Sequence, residues 1–375
     1  MRQQSLNENE NKQFVHIRCA HGGPRRLKEF SVVDRTTIAA SQPRPSKIAH
    51  TIDWELQGVQ HCHLRIPHST NDSPWGSINM PVSIYQMGVG PTVLITGGNH
   101  GDEYEGPIAL CRTLHKLDVD RITGSVILLP GLNFPALKTG TRLSPIDGKN
   151  MNRIFPGNSD GTVSELIADF IYRQFVSKAD AVLDIHSGGR MMRFAPTSII
   201  HALPDEQQYQ RCLEAAMAFG APYCTVLEEM DSAGMLDTAV EELGKVFVST
   251  ELGGSGTTSP QTLEIAERGI HNFLVALGAL QDERIDTPQS KLVMSPENGF
   301  IVSDCEGLFD CRVSLGDFVK QGDVIAEVHH LDRPWEASKV FKAPLDGELL
   351  HRHDAGRIHN GDCLAVLGVA MDSPQ

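Results

Sequence analysis

The chain has 375 residues, and its 40% hydrophobic content is enough for a sizeable core divided over about two or three domains. Acidic residues outnumber basic ones by 47 to 33, and the net charge of −14 argues against nucleic acid or an anionic membrane as a partner. The eight cysteines show no C-x-x-C spacing, so neither a disulfide framework nor a cysteine-zinc site is indicated. Because no apolar run approaches about 18 residues and the N-terminus has no apolar signal core, we expect a cytoplasmic protein.

The pattern along the chain divides it into three parts. Residues 1–46 are polar and predict an extension outside the core. From 47 to 285, apolar runs such as residues 125–129 alternate with helical patterns such as residues 164–172. This alternation predicts an α/β domain with a mixed, largely parallel sheet and helices on both faces. Residues 290–375 change to short strands and glycine turns, which predict a small all-β domain.

The most informative residues follow two predicted strands. His100 and Glu103 lie just past the apolar residues 93–95, and His186 ends a second apolar run. Among sixteen histidines an H-x-x-E is by itself more often a surface or core pair. Here both segments lie at strand carboxyl ends, where ligands bind in open α/β sheets. Two imidazoles and one carboxylate with an open fourth position are the ligands of a hydrolytic zinc site, so we expect one Zn²⁺ per chain.

A third strand end carries a carboxylate. Residues 245–251 are apolar and β-branched up to Glu251, and glycines then break the run. An acid in this place suits a general base, which would take a proton from water and pass it to a leaving nitrogen. The alternative is a strand-end glutamate that caps a loop or pairs with an arginine.

Cationic and amide side chains lie between these segments. Arg142 follows a glycine-threonine pair, and Asn152 and Arg153 lead into Phe-Pro-Gly. Arginine holds a carboxylate through two parallel hydrogen bonds, and an asparagine amide adds a donor. The residues therefore indicate an anionic substrate or oxyanion, although structural ion pairs remain an alternative in so acidic a chain.

Read in order, these motifs resemble one protein family. The order H-x-x-E, Arg, Asn-Arg-x-Phe-Pro-Gly, Asp-x-His-Ser-Gly-Gly and Thr-Glu-Leu-Gly-Gly is similar to the succinylglutamate desuccinylase/aspartoacylase family, which has a zinc carboxypeptidase-like fold. The resemblance covers roughly residues 75–280 as motifs. It implies zinc binding and amide hydrolysis by residues 47–285. The roles it implies are zinc ligands for His100, Glu103 and His186, catalytic base for Glu251, oxyanion stabilisation for Arg142, and substrate α-carboxylate binding for Asn152 and Arg153.

The resemblance also implies a small-molecule substrate. Residues 73–76 and 140–145 are most similar to family members that deacetylate N-acetyl-L-2,4-diaminobutyrate in ectoine breakdown. Alternatives are deacylation of N-acetylaspartate or N-succinylglutamate, or a zinc-binding protein without catalysis. An acidic substrate side chain would require another cation, and we find only Arg190 and Arg193 beside the motifs. The ammonium of diaminobutyrate could instead meet an acidic side chain, for which the candidates are Asp231, Asp237 and Glu241. A homo-oligomer is left open.

The C-terminal pattern has its own resemblance. Residues 314–328 and 343–350 resemble a biotinyl/lipoyl-type β-barrel. The intervening residues 329–336 contain no lysine to bear a cofactor. We therefore expect a domain that packs against the catalytic domain or closes its site.

Overall fold

The computed structural model describes residues 46–228 and 233–371, which all fall in one compact unit. The predicted N-terminal extension up to residue 45 and Asp231 lie outside the described residues. The described helices are α1 (Glu105–Lys116), α2 (Phe134–Thr139), α3 (Val163–Ile171), α4 (Glu206–Phe219), α5 (Leu236–Glu241) and α6 (Pro260–Ala276). The strands up to residue 251 are β1 (Gly58–Pro67), β2 (Ser77–Gln86), β3 (Thr92–Gly97), β4 (Ser125–Leu129), β5 (Ala181–His186), β6 (Met192–Phe194), β7 (Thr197–His201), β8 (Tyr223–Leu227) and β9 (Val246–Glu251). The strands that follow are β10 (Lys291–Met294), β11 (Phe300–Val302), β12 (Gly307–Cys311), β13 (Phe318–Val319), β14 (Val324–His329), β15 (Lys339–Lys342), β16 (Gly347–His353), β17 (Arg357–Ile358) and β18 (Cys363–Ala370).

A large mixed sheet organises the molecule. Within the described residues it has 14 strands, and its main path runs β1-β2-β4-β3-β5-β9-β7-β8-β10-β18-β16-β13. Strands β4, β3, β5 and β9 are parallel neighbours, whereas β7 runs antiparallel to β9. The carboxyl ends of β3, β5 and β9 therefore meet at one edge. The predicted mixed sheet is confirmed.

Helices cover both faces of this sheet, as predicted. Val93 and Ile95 pack with residues of α1, α4 and α6 in one core cluster, and Leu94 packs with α3 and α5 in another. Successive strand side chains point to opposite faces, so a strand covered on both faces reads as a continuous apolar run. All three of these side chains are fully buried.

The C-terminal residues build strands, as predicted. A second sheet joins β15, β14, β12 and β17, and its core includes Ile325, Phe341 and Leu364. The large sheet also continues into this region, because β10 pairs with β8 and β18 pairs with β10. The biotinyl/lipoyl type of this region and the boundary at residues 285–290 stay predictions.

One short ladder brings the C-terminal region close to the end of β5. Strand β6, which follows the His186 strand, pairs with β16 so that Phe194 lies opposite His351. Arg193 donates to Ser255 and lies 3.4 Å from the carboxylate of Asp354. These contacts tie the segment after His186 to the C-terminal strands. Among the described helices, none is long and apolar enough to cross a membrane.

Candidate active site

The candidate site forms where three neighbouring parallel strands end. Gly97 at the end of β3 pairs with Ile185 of β5, and His186 pairs with Glu251 at the end of β9. The loop after β3 carries His100 and returns into α1. This register places the sequence-predicted histidines and glutamates at one edge of the sheet.

Two glycines let the loop after β3 pack closely enough to reach β5. A Cβ at Gly106, in the first turn of α1, would lie 2.7 Å from the carbonyl oxygen of Ile185. A Cβ at Gly101 would lie 2.0 Å from the carbonyl carbon of Ala136 in α2. Neither position has room for a side chain, since real Cβ contacts are longer. The glycines therefore fix how far His100 and Glu103 extend over the sheet.

His100, Glu103 and His186 meet in a buried cluster. The Nδ1 atom of His100 lies 2.8 Å from Glu103 Oε1, and the Nδ1 atom of His186 lies 2.9 Å from Glu103 Oε2. One ligand atom from each residue falls within 4.8 Å of the other two. Within the described part of the chain, no other group of three His, Cys, Asp or Glu side chains converges in this way.

The outer nitrogen of each imidazole has its own partner. His186 Nε2 lies 2.8 Å from Asp184 Oδ2, and His100 Nε2 lies 3.1 Å from Asn150 Oδ1. Asp184 in turn accepts hydrogen bonds from Thr96 and Asn99 at 2.6 and 2.9 Å. Such partners fix the tautomer and orientation of a metal-ligating histidine.

Sequence reasoning did not assign a role to Asp184 or Asn150. A signal for Asp184 was present, because residues two apart in a strand face the same side, and Asp184 precedes His186 by two. Asn150 gave no such signal, since its contact with His100 spans 50 residues.

The carboxylates and imidazoles in the cluster each favour the ionised form of the other. Burial alone would raise the pKa of Glu103, but the neighbouring His100 and His186 outweigh it and hold that pKa well below its usual value. Burial would lower the pKa of His186, yet the carboxylates of Asp184 and Glu103 raise it well above its usual value. A cation is therefore favoured between these carboxylates, whether it is a proton or a metal ion.

The cluster fits a metal such as zinc. Its three residues supply two nitrogen donors and one carboxylate, and each is less than a tenth exposed. Zinc takes these donors and, in hydrolytic sites, keeps a further position for water or substrate. The hydrogen bonds on the far nitrogens are also those that zinc-bound histidines make.

Glu251 lies beside this cluster but is not one of the three residues whose ligand atoms converge. Its strand position is paired with His186, and its Oε2 atom is buried without a hydrogen-bond partner among the described residues. Burial first, and then the charge of Glu103, raises the pKa of Glu251 to about 8. A buried carboxyl with a strongly raised pKa next to a metal-ligand cluster is suited to proton transfer.

The three predicted anion-binding residues lie at different depths. Arg142 reaches the cluster, with Nη1 3.6 Å from Glu103 Oε1 and 45% of its side chain exposed. Asn152 is buried, and its Oδ1 accepts the N–H of Leu236 at 3.0 Å. The Arg153 guanidinium donates to the Asn152 carbonyl oxygen at 2.6 Å. Asn150 Oδ1 accepts the Asn152 N–H at 3.0 Å, so this turn is hydrogen-bonded to the His100 partner.

One candidate for the substrate ammonium is wrong. Glu241 lies 2.9 Å from His201 Nδ1 at the end of β7. Because β7 begins opposite Glu251 and runs antiparallel to β9, His201 is about 13 Å from the site edge, at about 3.3 Å per residue. Glu241 therefore faces the other edge. Asp237 remains, since it follows Leu236, whose N–H is held by Asn152.

Fold and site together define a class. A mixed α/β sheet whose carboxyl edge carries a His-Glu-His group able to hold a metal ion, with a separate glutamate beside it, is an arrangement suited to a hydrolase. The sequence profile described as the succinylglutamate desuccinylase/aspartoacylase catalytic domain matches residues 89–277, which is half of the chain. The chain belongs to this family, as its motifs predicted.

Individual members of this family are similar to the chain over most of its length. The N-alpha-acetyl-L-2,4-diaminobutyric acid deacetylase of Halomonas elongata is 46% identical over 334 residues, covering 88% of this chain and 98% of that protein. The product-bound structure of the ectoine utilization protein EutE from Ruegeria pomeroyi is 43% identical with a TM-score of 0.84, and it covers 87% of this chain and 100% of that one. A succinylglutamate desuccinylase structure from Silicibacter has 42% identity, 88% and 100% coverage, and the same TM-score.

The metal cluster can be tested by removing a ligand. Purified protein should contain about one zinc per chain, and His100→Ala or His186→Ala should remove it, since two donors hold zinc poorly. Elemental analysis after dialysis measures this. His63→Ala, on the exposed side of β1, is the control and should keep the metal. Full occupancy in both ligand variants would refute the assignment.

Asp184 can be tested as a positioning residue. Asp184→Asn should keep the fold but weaken zinc binding by about 10- to 100-fold, because the amide no longer fixes the His186 tautomer. Competition with a chromogenic chelator measures the affinity. Asp180→Asn, which changes an exposed aspartate next to the start of the same strand, should leave it unchanged. Equal affinities in wild type and Asp184→Asn would assign Asp184 a packing role.

Proposed function

We propose that this chain hydrolyses N-acetyl-L-2,4-diaminobutyrate to acetate and L-2,4-diaminobutyrate, using one zinc ion held by His100, Glu103 and His186. The observation that carries this proposal is the position of Glu251, which is paired with His186 at the edge where the cluster lies and has one buried carboxylate oxygen. A zinc-binding protein without catalysis would have no use for such a group. The diaminobutyric acid deacetylase relative, at 46% identity, supports this substrate.

The chemistry divides between the metal and the chain. When bound, zinc would polarise the scissile carbonyl and lower the pKa of water to about 7. A divalent cation in the cluster would favour the ionised form of Glu251. In that form Glu251 accepts a proton from the attacking water as the water oxygen bonds to the acyl carbon. It then delivers that proton to the nitrogen as the carbon–nitrogen bond breaks, so acetate and a free amine leave.

Arg142 is suited to the oxygen that gains charge in this reaction. Its guanidinium lies at the rim of the cluster, with its Nη1 atom 3.6 Å from Glu103 Oε1. The guanidinium has five N–H donors, so one contact with Glu103 leaves others for a carbonyl oxygen that becomes negative. A donor already in place at this oxygen lowers the barrier more than one that must be recruited.

The α-carboxylate would be bound by the turn at Asn152 and Arg153. The Oδ1 atom of Asn152 accepts from Leu236, so its amide hydrogens are the atoms able to donate to an anion. The Arg153 guanidinium donates to the adjacent carbonyl oxygen of Asn152. This hydrogen bond holds the guanidinium at the same turn, from which its other N–H groups can donate to a carboxylate. Both residues therefore favour a substrate with a free carboxylate.

The proposed substrate and its alternatives differ in the charge of the side chain, which is cationic in diaminobutyrate and anionic in aspartate and glutamate. An N-acetylaspartate or N-succinylglutamate side chain would need a second cation, yet Arg193 is held by Ser255 and Asp354. The Arg190 backbone N–H donates to the buried carboxylate of Asp102 at 3.1 Å, which puts a negative charge beside Arg190. A substrate ammonium instead has the Asp237 carboxylate beside the carboxylate-binding turn, where its Oδ1 also accepts from the Thr238 N–H and hydroxyl. These placements favour diaminobutyrate.

The role of Glu251 predicts a separation of metal binding from rate. Glu251→Gln should retain zinc and lower kcat by about 10²- to 10⁴-fold, the scale of a lost acid/base group. Steady-state kinetics and metal analysis of one preparation measure both. Glu241→Gln, a buried carboxylate at the other edge, is the matched control and should keep kcat. Loss of zinc in Glu251→Gln would instead make Glu251 a ligand.

The substrate proposal predicts a ranking of three compounds. The kcat/KM on N-acetyl-L-2,4-diaminobutyrate should exceed that on N-acetylaspartate by at least about tenfold, or about 1.4 kcal/mol in transition-state binding. It should also exceed that on N-acetyl-2-aminobutyrate, which lacks the ammonium. Asp237→Asn should reduce the difference in kcat/KM between the diaminobutyrate and 2-aminobutyrate compounds, since an amide cannot neutralise an ammonium.

The opposite ranking of the aspartate compound would assign the enzyme an aspartoacylase activity. If Asp237→Asn lowered the rates on all three compounds by one factor, Asp237 would have a structural role and another anion would bind the ammonium.

A further inference from the structure

A cavity opens beside Glu251, between the sheet and the C-terminal strands. Its volume is about 310 Å³, at the small end of the range for ligand pockets. Strands β7 and β8 form one wall through Thr197, Ile199 and Leu227, and the C-terminal region forms the other through Phe300 and Leu350.

The cavity leads away from the reacting atoms. Thr197 pairs with Glu251, and Ile199 pairs with Ser249, two residues back along β9. Because alternate strand residues share a face, Thr197 and Ile199 line the cavity in succession, about 6.6 Å apart. A group that enters next to Glu251 would pass Thr197 first and reach Ile199 second.

The walls are apolar and offer no cation. Apart from Glu251, the polar groups are hydroxyls, a thiol and the imidazole of His351. His351 is 2% exposed, and its Nε2 atom has no hydrogen-bond partner among the described residues. Burial lowers the pKa of His351 to about 4, so the ring is uncharged at neutral pH.

These apolar walls suit the acyl half of the substrate and not the amino-acid half. The amino-acid half carries a carboxylate and an ammonium, and burying either without a partner is costly. The acyl half is uncharged, and it is attached to the carbonyl on which Glu251 acts. An acetyl methyl group would occupy only the beginning of such a cavity.

We propose that this cavity is an acyl-chain subsite, and that the enzyme cleaves straight-chain acyl groups longer than acetyl from the same amino acid. The inference rests on the proposed function. The chain would extend from the scissile carbonyl past Thr197 towards Ile199. A carboxylate at its end would meet apolar walls and an uncharged imidazole, so acidic acyl groups are rejected.

Wild-type enzyme can be tested on three substrates with one amino-acid half: N-acetyl-, N-butyryl- and N-succinyl-diaminobutyrate. The succinyl compound carries a carboxylate where the butyryl compound carries its terminal methyl, so the pair isolates charge at similar length. We expect kcat/KM on the butyryl compound to equal or exceed that on the acetyl compound. On the succinyl compound it should be at least about tenfold below the butyryl value, since the buried charge has no partner.

Variants at Ile199 locate the effect. Ile199→Phe shortens the cavity and should lower the butyryl-to-acetyl ratio of kcat/KM by at least about tenfold, within the range for misfitting a methylene. Ile199→Ala lengthens it and should raise the hexanoyl-to-acetyl ratio. Leu308→Phe, at an exposed position of β12, is the control and should change neither ratio. A soak of Glu251→Gln crystals with the butyryl compound should show its alkyl chain between Ile199 and Leu350.

The outcomes separate the two proposals. If the acetyl compound is cleaved but the butyryl compound is at least about tenfold slower, the subsite is wrong and the proposed function stands. Faster cleavage of the succinyl than of the butyryl compound would also overturn the subsite. No cleavage of any compound by zinc-loaded enzyme would remove the proposed function and the subsite with it.

Discussion

The carboxylate of Glu103 is the interaction on which the site depends. It lies within 2.9 Å of an imidazole nitrogen on each side, and it also accepts the Ser187 N–H. Its neighbours Asp184 and Glu251 are carboxylates too, and Arg142 is a cation that only reaches the rim. The carboxylates of Glu103 and Asp184 favour a cation at this edge and raise the pKa of His186. A divalent ion between the imidazoles would take the place of that proton. Because both histidines converge on one side chain, any movement of Glu103 would displace them both.

Short-range patterns predicted much of this arrangement. An apolar strand with glycines and a histidine or glutamate at its carboxyl end is a local signal, and three such signals marked His100, His186 and Glu251. The parallel order of the sheet then placed them at one edge, as expected. Helices on both faces also followed, since strands buried on both sides read as continuous apolar runs.

The pairing of segments that are distant along the chain could not be predicted from the sequence. Nothing local indicated that β7 runs antiparallel to β9, so Glu241 was expected near the site although it faces the other edge. The contact of Asn150 with His100 and the pairing of Phe194 with His351 likewise join distant segments. The cavity beside Glu251 depends on that second pairing, because one wall comes from each region. No periodicity in either segment contains this information.

The pairing of β10 with β8 has a consequence for how the chain can be divided. Strand β8 carries Cys224 and Val226 in the main core, and β10 covers its outer backbone edge. A chain ending before residue 290 would expose the N–H and C=O groups of β8, and bare apolar edges recruit other strands. The catalytic region alone would therefore be prone to self-association. An insertion, deletion or fusion is better tolerated in the surface loop between β14 and β15, where no ladder is interrupted.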